Sequence, residues 1–220
     1  MTTPGVPTPT RADRLAALYT PVVADVLDRL GFRAQALRAD VRPLFPGARA
    51  AGVARTVRQI PAPELAPAEP YKGEMAAVDD LRPGDVLVVS SCDASIWGEL
   101  LSTAAHYRGC RGVVIDGYTR DTRAIAALGF PVFCRGIHPA DSLGRLDVVA
   151  HDVPIRCGDV HVEPGDLILA DDDGVVVIPW AVADRALALA EEKVRGEDLV
   201  RKALAEGMPV TEAFKRYGIL

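Results

Sequence analysis

The sequence predicts an α/β protein with a mixed central sheet, a β meander and flanking helices. Three observations support this prediction. The first part of the chain has apolar residues at helical spacing, the middle has alternating and fully apolar strand segments, and a long helix rich in alanine and charge follows. The centre reads as strand, helix, strand, helix, whereas the segment after it reads as short strands between turns. Parallel and antiparallel strands are therefore expected together.

The N-terminal region predicts a loose tail and two helices. Residues 1–10, rich in proline and threonine, are expected to form a flexible tail before a single domain over 11–220. Apolar residues recur at helical spacing over 11–30. Pro21 divides this run, with Thr20 as the expected cap and Gly31 as the end of the second helix.

The strands and helices that follow are predicted from periodicity and turn residues. Strands are expected over 41–44, 52–59, 86–90, 112–115 and 131–134, with helices over 75–80, from Trp97 or Gly98, and up to Leu128. Between 147 and 177, several short strands separated by glycine-containing turns predict the meander. A long helix over 179–204 and a short one over 210–217 complete a C-terminal helical appendage over 180–220.

Composition excludes several functional classes. The chain has 220 residues and a net charge of −5, which argues against nucleic acid as the main partner. No apolar run is long enough for a membrane span, and residues 1–10 do not resemble a signal peptide, so a cytoplasmic location is expected. The four cysteines form no C-x-x-C pair, which favours buried free thiols over a zinc site or disulfides.

Two acids and one arginine stand at the two ends of the stretch from Glu99 to Asp121. The stretch begins as a helix, passes a glycine turn, continues as an apolar strand and ends with Arg120 and Asp121. A strand between two short loops can bring such ends to one edge of a sheet. Carboxylates at that edge would suit a hard divalent cation, Mg²⁺ or Mn²⁺, and an arginine would suit a substrate carboxylate.

These residues predict a site for a small 2-oxo acid. Asp121 is the expected metal ligand, Glu99 is expected to orient a metal-bound water, and Arg120 can grip a carboxylate through two parallel N–H bonds. Backbone N–H groups near Gly98, Glu99 and Leu100 could hold the same anion at a helix N-terminus. The metal would stabilise the enolate that forms when a carbon–carbon bond breaks.

Structural alternatives stay open at this point. Arg120 and Asp121 could form a surface turn while Glu99 caps a helix. Trp97, beside the predicted site, could wall the pocket or pack at a subunit interface.

Several ordered blocks of the sequence resemble the RraA-like family, with a likeness over roughly 20–217. The blocks are Trp-Gly-Glu-Leu-Leu-Ser-Thr-Ala-Ala at 97–105, Gly-Val-Val-Ile-Asp-Gly at 112–117, Arg-Asp at 120–121, Gly-Phe-Pro-Val-Phe at 129–133, and 162–179 with its Asp-Asp-Asp-Gly turn. The resemblance implies a swivelling β/β/α domain that forms a homotrimer, or a hexamer of two trimers, with sites between subunits.

The same resemblance implies two functions. The family includes class II pyruvate aldolases that cleave 4-hydroxy-4-methyl-2-oxoglutarate, and its members commonly decarboxylate oxaloacetate. It also includes non-catalytic proteins that bind and regulate a ribonuclease and tend to lack the metal-binding aspartate. The presence of Asp121 favours the enzyme, a carbon–carbon lyase.

The site residues follow the family pattern of an acid, twenty intervening residues and Arg-Asp. By resemblance, Asp121 contacts the metal, Arg120 the pyruvate moiety and Glu99 a metal-bound water. An acid from a neighbour's C-terminal helix approaches the metal, and Glu197 is the matching residue here. Ala124 stands where the aldolases often have an acid, which leaves the substrate open.

Overall fold

The computed structural model describes residues 9–219. Most of the predicted N-terminal tail, residues 1–10, therefore lies outside the described residues. Thr10 is described, and it forms a capping box with Asp13 at the start of the first helix.

Seven α-helices lie in the described part of the chain. They are α1 (Arg11–Ala16), α2 (Thr20–Arg29), α3 (Lys72–Asp79), α4 (Glu99–Tyr107), α5 (Thr122–Leu128), α6 (Ala183–Ala205) and α7 (Val210–Tyr217). A single 3-10 turn, Trp180–Val182, leads into α6. Each helix predicted from the sequence is present; α7 has the predicted boundaries, and the boundaries of the others differ from the predicted ones.

Eleven strands lie in the same part of the chain. They are β1 (Arg42–Pro43), β2 (Ala50–Pro61), β3 (Asp85–Val89), β4 (Ser95–Trp97), β5 (Val113–Thr119), β6 (Val132–Ile137), β7 (Leu146–His151), β8 (Ile155–Cys157), β9 (Val160–Val162), β10 (Leu167–Asp171) and β11 (Gly174–Ile178). Nine of them form one mixed sheet with the order β1-β6-β5-β3-β2-β10-β11, in which β4 pairs with β5 and β7 with β2.

The centre of the sheet is parallel and buried. Strand β3 pairs in parallel with β2 and with β5, and β5 pairs in parallel with β6. All five residues of β3 are buried, as the apolar run over 86–89 predicts, and Asp85 at its start is buried with them. Because these strands run in one direction, their carboxyl ends meet at one edge of the sheet, where the loops before α4 and α5 lie.

The predicted meander segment consists of turn-bounded strands, but these strands pair in three separate places. Strand β7 pairs antiparallel with the second half of the long strand β2, β8 and β9 form their own two-stranded sheet, and β10 of the β10–β11 hairpin pairs with the first half of β2. Hydrophobic alternation and turn residues indicate where each strand lies, whereas the pairing partner is chosen by tertiary packing.

Other local details differ from the predictions. Tyr19, not Thr20, is the residue before the second helix, and the Thr20 hydroxyl and N–H both bind the buried Asp171. The expected loop over 91–98 contains the short strand β4. Strand β5 extends to Thr119 rather than ending at Ile115, because β4 and β6 both flank its second half.

Two further sequence predictions concern cysteines and membranes. All four cysteines are free and buried, which confirms the thiol prediction. Among the described residues, no helix combines the length and the apolar character that crossing a bilayer requires.

Candidate active site

The site begins where β4 and β5 end side by side. The main-chain carbonyl of Trp97, the last residue of β4, accepts the Arg120 N–H at 3.0 Å and the Thr119 hydroxyl at 3.0 Å. These two hydrogen bonds hold the end of β5 against the start of α4. The two ends of the 99–121 stretch are therefore neighbours, as predicted from their spacing.

Asp121 occupies a sharp turn between β5 and α5. Its backbone is left-handed, with φ at 57°, a conformation that aspartate tolerates better than most residues. Its Oδ2 accepts the N–H of Glu99 at 3.1 Å, so the carboxylate lies against the N-terminus of α4. The Asp121 side chain remains 47% exposed.

Gly98 allows this close approach. A Cβ atom at Gly98 would lie 2.5 Å from Oδ2 of Asp121 and 3.5 Å from Cγ of Arg120. The Gly98 backbone is extended, so a side chain is excluded by space and not by conformation. The absence of a side chain here makes room for the aspartate carboxylate.

Glu99 supplies the second carboxylate at this edge. Its Oε1 accepts the hydroxyl of Thr103, one helical turn later, at 2.8 Å. Among the described residues, no group of three or more histidine, cysteine, aspartate or glutamate side chains is arranged to hold a metal. The Asp121 carboxylate at the α4 N-terminus still fits Mg²⁺ or Mn²⁺, since such ions take few protein ligands and complete their shell with water and substrate.

Arg120 lies between two aspartates. Its Nε lies 3.9 Å from Oδ2 of Asp121, and its Nη2 lies 3.1 Å from Oδ1 of Asp141. Asp141 also accepts the Tyr71 hydroxyl, and its Oδ1 accepts the N–H of Ser142 at 2.8 Å. The Arg120 side chain is 37% exposed, so Asp141 orients it while the side chain stays accessible to a ligand.

The carboxyl group of Glu74, on α3, lies beside Asp141. Burial raises the pKa of Glu74 to about 7, a Ser142 hydrogen bond and the Arg120 charge lower it, and the Asp141 and Asp147 charges raise it. Glu74 therefore changes its protonation near neutral pH, whereas an ordinary glutamate is fully ionised there.

A cleft of about 580 Å³ lies beside this cluster, between the 62–76 segment and β7. Tyr71 and Glu74 line it. Glu99, Arg120 and Asp121 do not line it, so they form an open edge and not the floor of the cleft. The segment over 61–70, which contains four prolines, forms one wall.

The other predicted site residues fall in different places. The Trp97 ring is 2% exposed and packs on Phe130 in the core, with its Nε1–H donating to Ser102 at 2.8 Å. It contributes to the site through its carbonyl and does not wall it. The Leu100 side chain is 79% exposed, and Ala124 is exposed in the first turn of α5.

Glu197 lies on α6 in a separate cluster of its own chain. It accepts the Tyr19 hydroxyl, and its Oε1 lies 3.5 Å from Nζ of the buried Lys193. The fold does not bring Glu197 to Asp121 of the same chain. Its predicted contact with a neighbouring subunit's metal stays a prediction.

Sequence reasoning missed Tyr71, Glu74 and Asp141. Asp141 lies in a turn-rich segment without a motif, and Tyr71 stands at the end of the proline-rich loop. Tyr71 and Asp141 are 70 positions apart, so only the tertiary fold brings them together. The nearest signal in the sequence is the position of Tyr71, directly after the proline-rich segment over 61–70.

The chain is similar to proteins of one family. The family model described as RraA-like, Aldolase/RraA, matches residues 20–177. A protein of Halalkalibacterium halodurans, named as a proposed 4-hydroxy-4-methyl-2-oxoglutarate aldolase, is 34% identical over 198 residues, which is 89% of each chain.

Solved structures extend the likeness to the fold. Streptomyces coelicolor RraAS2, described as an unusual member of the RNase ES inhibitor RraA protein family, superposes with a TM-score of 0.79 at 31% identity, over 90% of this chain and 99% of that one. An uncharacterized Pseudomonas syringae protein superposes with a TM-score of 0.82 at 28% identity, over 92% and 96%. The sequence and the fold agree, and the chain belongs to the RraA-like family.

Proposed function

We propose that the protein is a divalent-metal-dependent lyase that cleaves a carbon–carbon bond of a small 2-oxo acid. One observation carries the proposal: the Asp121 carboxylate is seated on the N-terminus of α4, beside Glu99 and Arg120, in space that Gly98 leaves open. A surface turn would not need a glycine at that position. The relative named as a proposed 4-hydroxy-4-methyl-2-oxoglutarate aldolase supports the same reaction class.

The chain's residues take distinct roles in this proposal. Asp121 and, through water, Glu99 would hold Mg²⁺ or Mn²⁺, which when bound supplies a Lewis acid for the developing enolate charge. Arg120 binds the substrate carboxylate through guanidinium N–H groups that its two aspartate partners leave accessible. The α4 N-terminus, with Gly98, Glu99 and Leu100, adds a positive field at the same edge.

The proposed reaction conserves protons and electrons. In aldol cleavage the substrate's 4-hydroxyl loses a proton, the bond between C3 and C4 breaks, the electron pair passes into the pyruvate enolate, and C4 leaves as the carbonyl carbon of the second product. One proton then adds to C3 and releases pyruvate. In oxaloacetate the bond to the departing carboxylate breaks instead, and carbon dioxide leaves. Arg120 holds the carboxylate that does not react in both cases.

The open edge supports an oligomeric site. The Asp121 side chain is 47% exposed, so part of its surface is accessible to another molecule. We propose that a second copy of the chain completes the site in a homotrimer or hexamer, with Glu197 of the neighbour as the candidate additional acid. The test is the oligomeric state in solution, by light scattering, compared with the activity on dilution.

The primary test is pyruvate release from oxaloacetate, with Mg²⁺ or Mn²⁺ and then with a chelator. Asp121→Asn is the sharper variant, because asparagine also tolerates the left-handed backbone, whereas alanine there adds about 1 kcal/mol of strain. Wild type should show metal-dependent turnover above the spontaneous decay, and Asp121→Asn should show none. Equal rates in the two proteins would refute the proposal.

A second candidate function is a non-catalytic protein that binds and regulates a ribonuclease. The likeness to RraAS2, whose description places it among RNase ES inhibitors, favours it. This candidate predicts co-purification with a ribonuclease that survives Asp121→Asn. A tagged wild-type protein that recovers no ribonuclease while releasing pyruvate would exclude it.

A further inference from the structure

We propose that Tyr71 is a positioning residue for the substrate carboxylate: its hydroxyl fixes the carboxylate of Asp141, which in turn fixes the guanidinium of Arg120. The inference rests on the proposed function, in which Arg120 binds the substrate carboxylate that does not react. It adds to the site a residue that lies far from Arg120 in the sequence. Tyr71 acts through Asp141 and does not need to touch the substrate.

Both carboxylate oxygens of Asp141 are engaged. Its Oδ2 accepts the Tyr71 hydroxyl, whereas its Oδ1 accepts the Ser142 N–H at 2.8 Å and lies 3.1 Å from Nη2 of Arg120. Ser142 is buried, so the main chain beside Asp141 is anchored in the protein. A carboxylate that is bound at both oxygens cannot rotate freely. Loss of the Tyr71 hydroxyl would free Oδ2 and let the carboxylate, and with it Arg120, take other orientations.

The backbone of Tyr71 points to the same role. It is left-handed, with φ at 58° and ψ at 14°, a conformation that a bulky residue rarely adopts. Such a conformation persists where the surrounding contacts fix it, and it is found most often at functional sites. Tyr71 directly precedes α3, but its side chain makes no capping hydrogen bond to that helix. The hydrogen bond that its side chain makes is the one to Asp141.

Main-chain contacts also hold the segment that carries Asp141 against the loop before α3 and the start of that helix. The N–H of Ala62 donates to the carbonyl of Arg145 at 2.8 Å. Gly73 lies so close to the other segment that a Cβ atom there would be 2.1 Å from the carbonyl oxygen of Val148. Loss of the tyrosine hydroxyl should therefore leave the fold intact, and its effect should fall on the carboxylate that the hydroxyl binds.

Tyr71→Phe removes the hydroxyl and keeps the ring. The KM for oxaloacetate with Mg²⁺ should rise roughly tenfold while kcat changes less, because Arg120 holds its carboxylate in the ground state and in the transition state alike. The melting temperature should stay close to that of wild type. Tyr107→Phe is the matched control: Tyr107, at the end of α4, is 90% exposed, and its variant should keep the wild-type KM.

A double-variant cycle tests whether Tyr71 acts through Asp141. Asp141→Ala should raise KM at least as much as Tyr71→Phe does. Tyr71→Phe introduced into the Asp141→Ala protein should then raise KM no further, because the carboxylate through which the hydroxyl acts is gone. If Tyr71 only supported its own loop, the two effects on KM would multiply. Multiplying effects would overturn the inference.

The outcomes separate this inference from the proposed function. If wild type releases pyruvate and Tyr71→Phe keeps the wild-type KM, the inference is wrong and the proposed function stands. A fall in kcat at unchanged KM would also refute the inference. If wild type with metal binds pyruvate without turning over oxaloacetate, pyruvate affinity measured by ligand-observed NMR replaces KM in the same comparison. If wild type neither releases nor binds pyruvate, the proposed function fails, and the inference fails with it.

Discussion

Oδ2 of Asp121 accepts the N–H of Glu99 at 3.1 Å, so an aspartate two residues after β5 caps α4, the helix that precedes that strand. The contact places a negative charge at the positive end of α4. The same hydrogen bond joins the start of α4 to the turn after β5, the two segments that form the proposed site. Substitutions that move Glu99 or Asp121 should therefore lower activity more than they lower the stability of the fold.

Gly98→Ala should abolish metal-dependent pyruvate release with only a small loss of stability. The new Cβ would lie 2.5 Å from Oδ2 of Asp121, and the exposed carboxylate can rotate away, which relieves most of the overlap. Turnover and melting temperature are measured together. Gly136→Ala is the control, because its new Cβ would also be close to a side chain, at 3.3 Å from the Tyr118 ring, but would not approach Asp121. Wild-type pyruvate release by Gly98→Ala would contradict the prediction, because the reaction would then not require the observed position of the Asp121 carboxylate.

Thr103→Val should lower turnover roughly tenfold, in line with the loss of a group that orients a metal-site carboxylate. The Thr103 hydroxyl donates to Oε1 of Glu99 at 2.8 Å, and valine keeps the shape without the donor. Thr103→Ser keeps the hydroxyl and should behave as wild type. If valine and serine variants are equally active, the orientation of Glu99 does not matter for the reaction.

Glu74→Gln should change how stability depends on pH. The pKa of Glu74 is raised from 4.5 to about 7 by burial, so the folded state holds its proton more tightly than the unfolded state does. The favourable contribution of the protonated form is complete below about pH 4.5 and is lost as pH rises to about 7.

Wild type should therefore lose at most about 3 kcal/mol between these pH values through this group, at about 1.4 kcal/mol per pKa unit. Glu74→Gln, which cannot ionise, should lose less. Urea unfolding at pH 5 and pH 8 measures the difference. Met75→Gln, an adjacent exposed position, is the control. Parallel curves for wild type and Glu74→Gln would contradict the prediction.

Glu197→Gln should destabilise the protein by about 1–3 kcal/mol, because it removes a charged partner from a buried lysine. Lys193 is 6% exposed and would retain Asp25 as its remaining ion pair. Urea unfolding measures the loss, with Glu192→Gln, at an exposed position on the same helix, as the control.

The proposed role of Glu197 at a neighbouring subunit's site has a separate test. Pyruvate release is measured at urea concentrations below those that unfold the variant, and reduced activity of folded Glu197→Gln supports the intersubunit role.

Periodicity and turn residues were enough to predict most elements of the fold. The fully apolar run before Ser90 is β3, and the glycines at 31 and 129 end α2 and α5, each with positive φ. These features depend on local steric and hydrophobic preferences, so sequence neighbours decide them. The spacing from Glu99 to Asp121 likewise predicted that the two ends of the α4–β5 unit lie at one edge of the sheet.

Only the tertiary structure decided what surrounds Arg120. The proline-rich loop, the turn that follows β6 and the end of β5 converge there, and they bring Tyr71 and Asp141 together from 70 positions apart. Packing also turned the Trp97 ring into the core and left its carbonyl at the site. Local sequence patterns do not encode which distant strands pair or which loops meet, because those choices depend on how the whole hydrophobic core is buried.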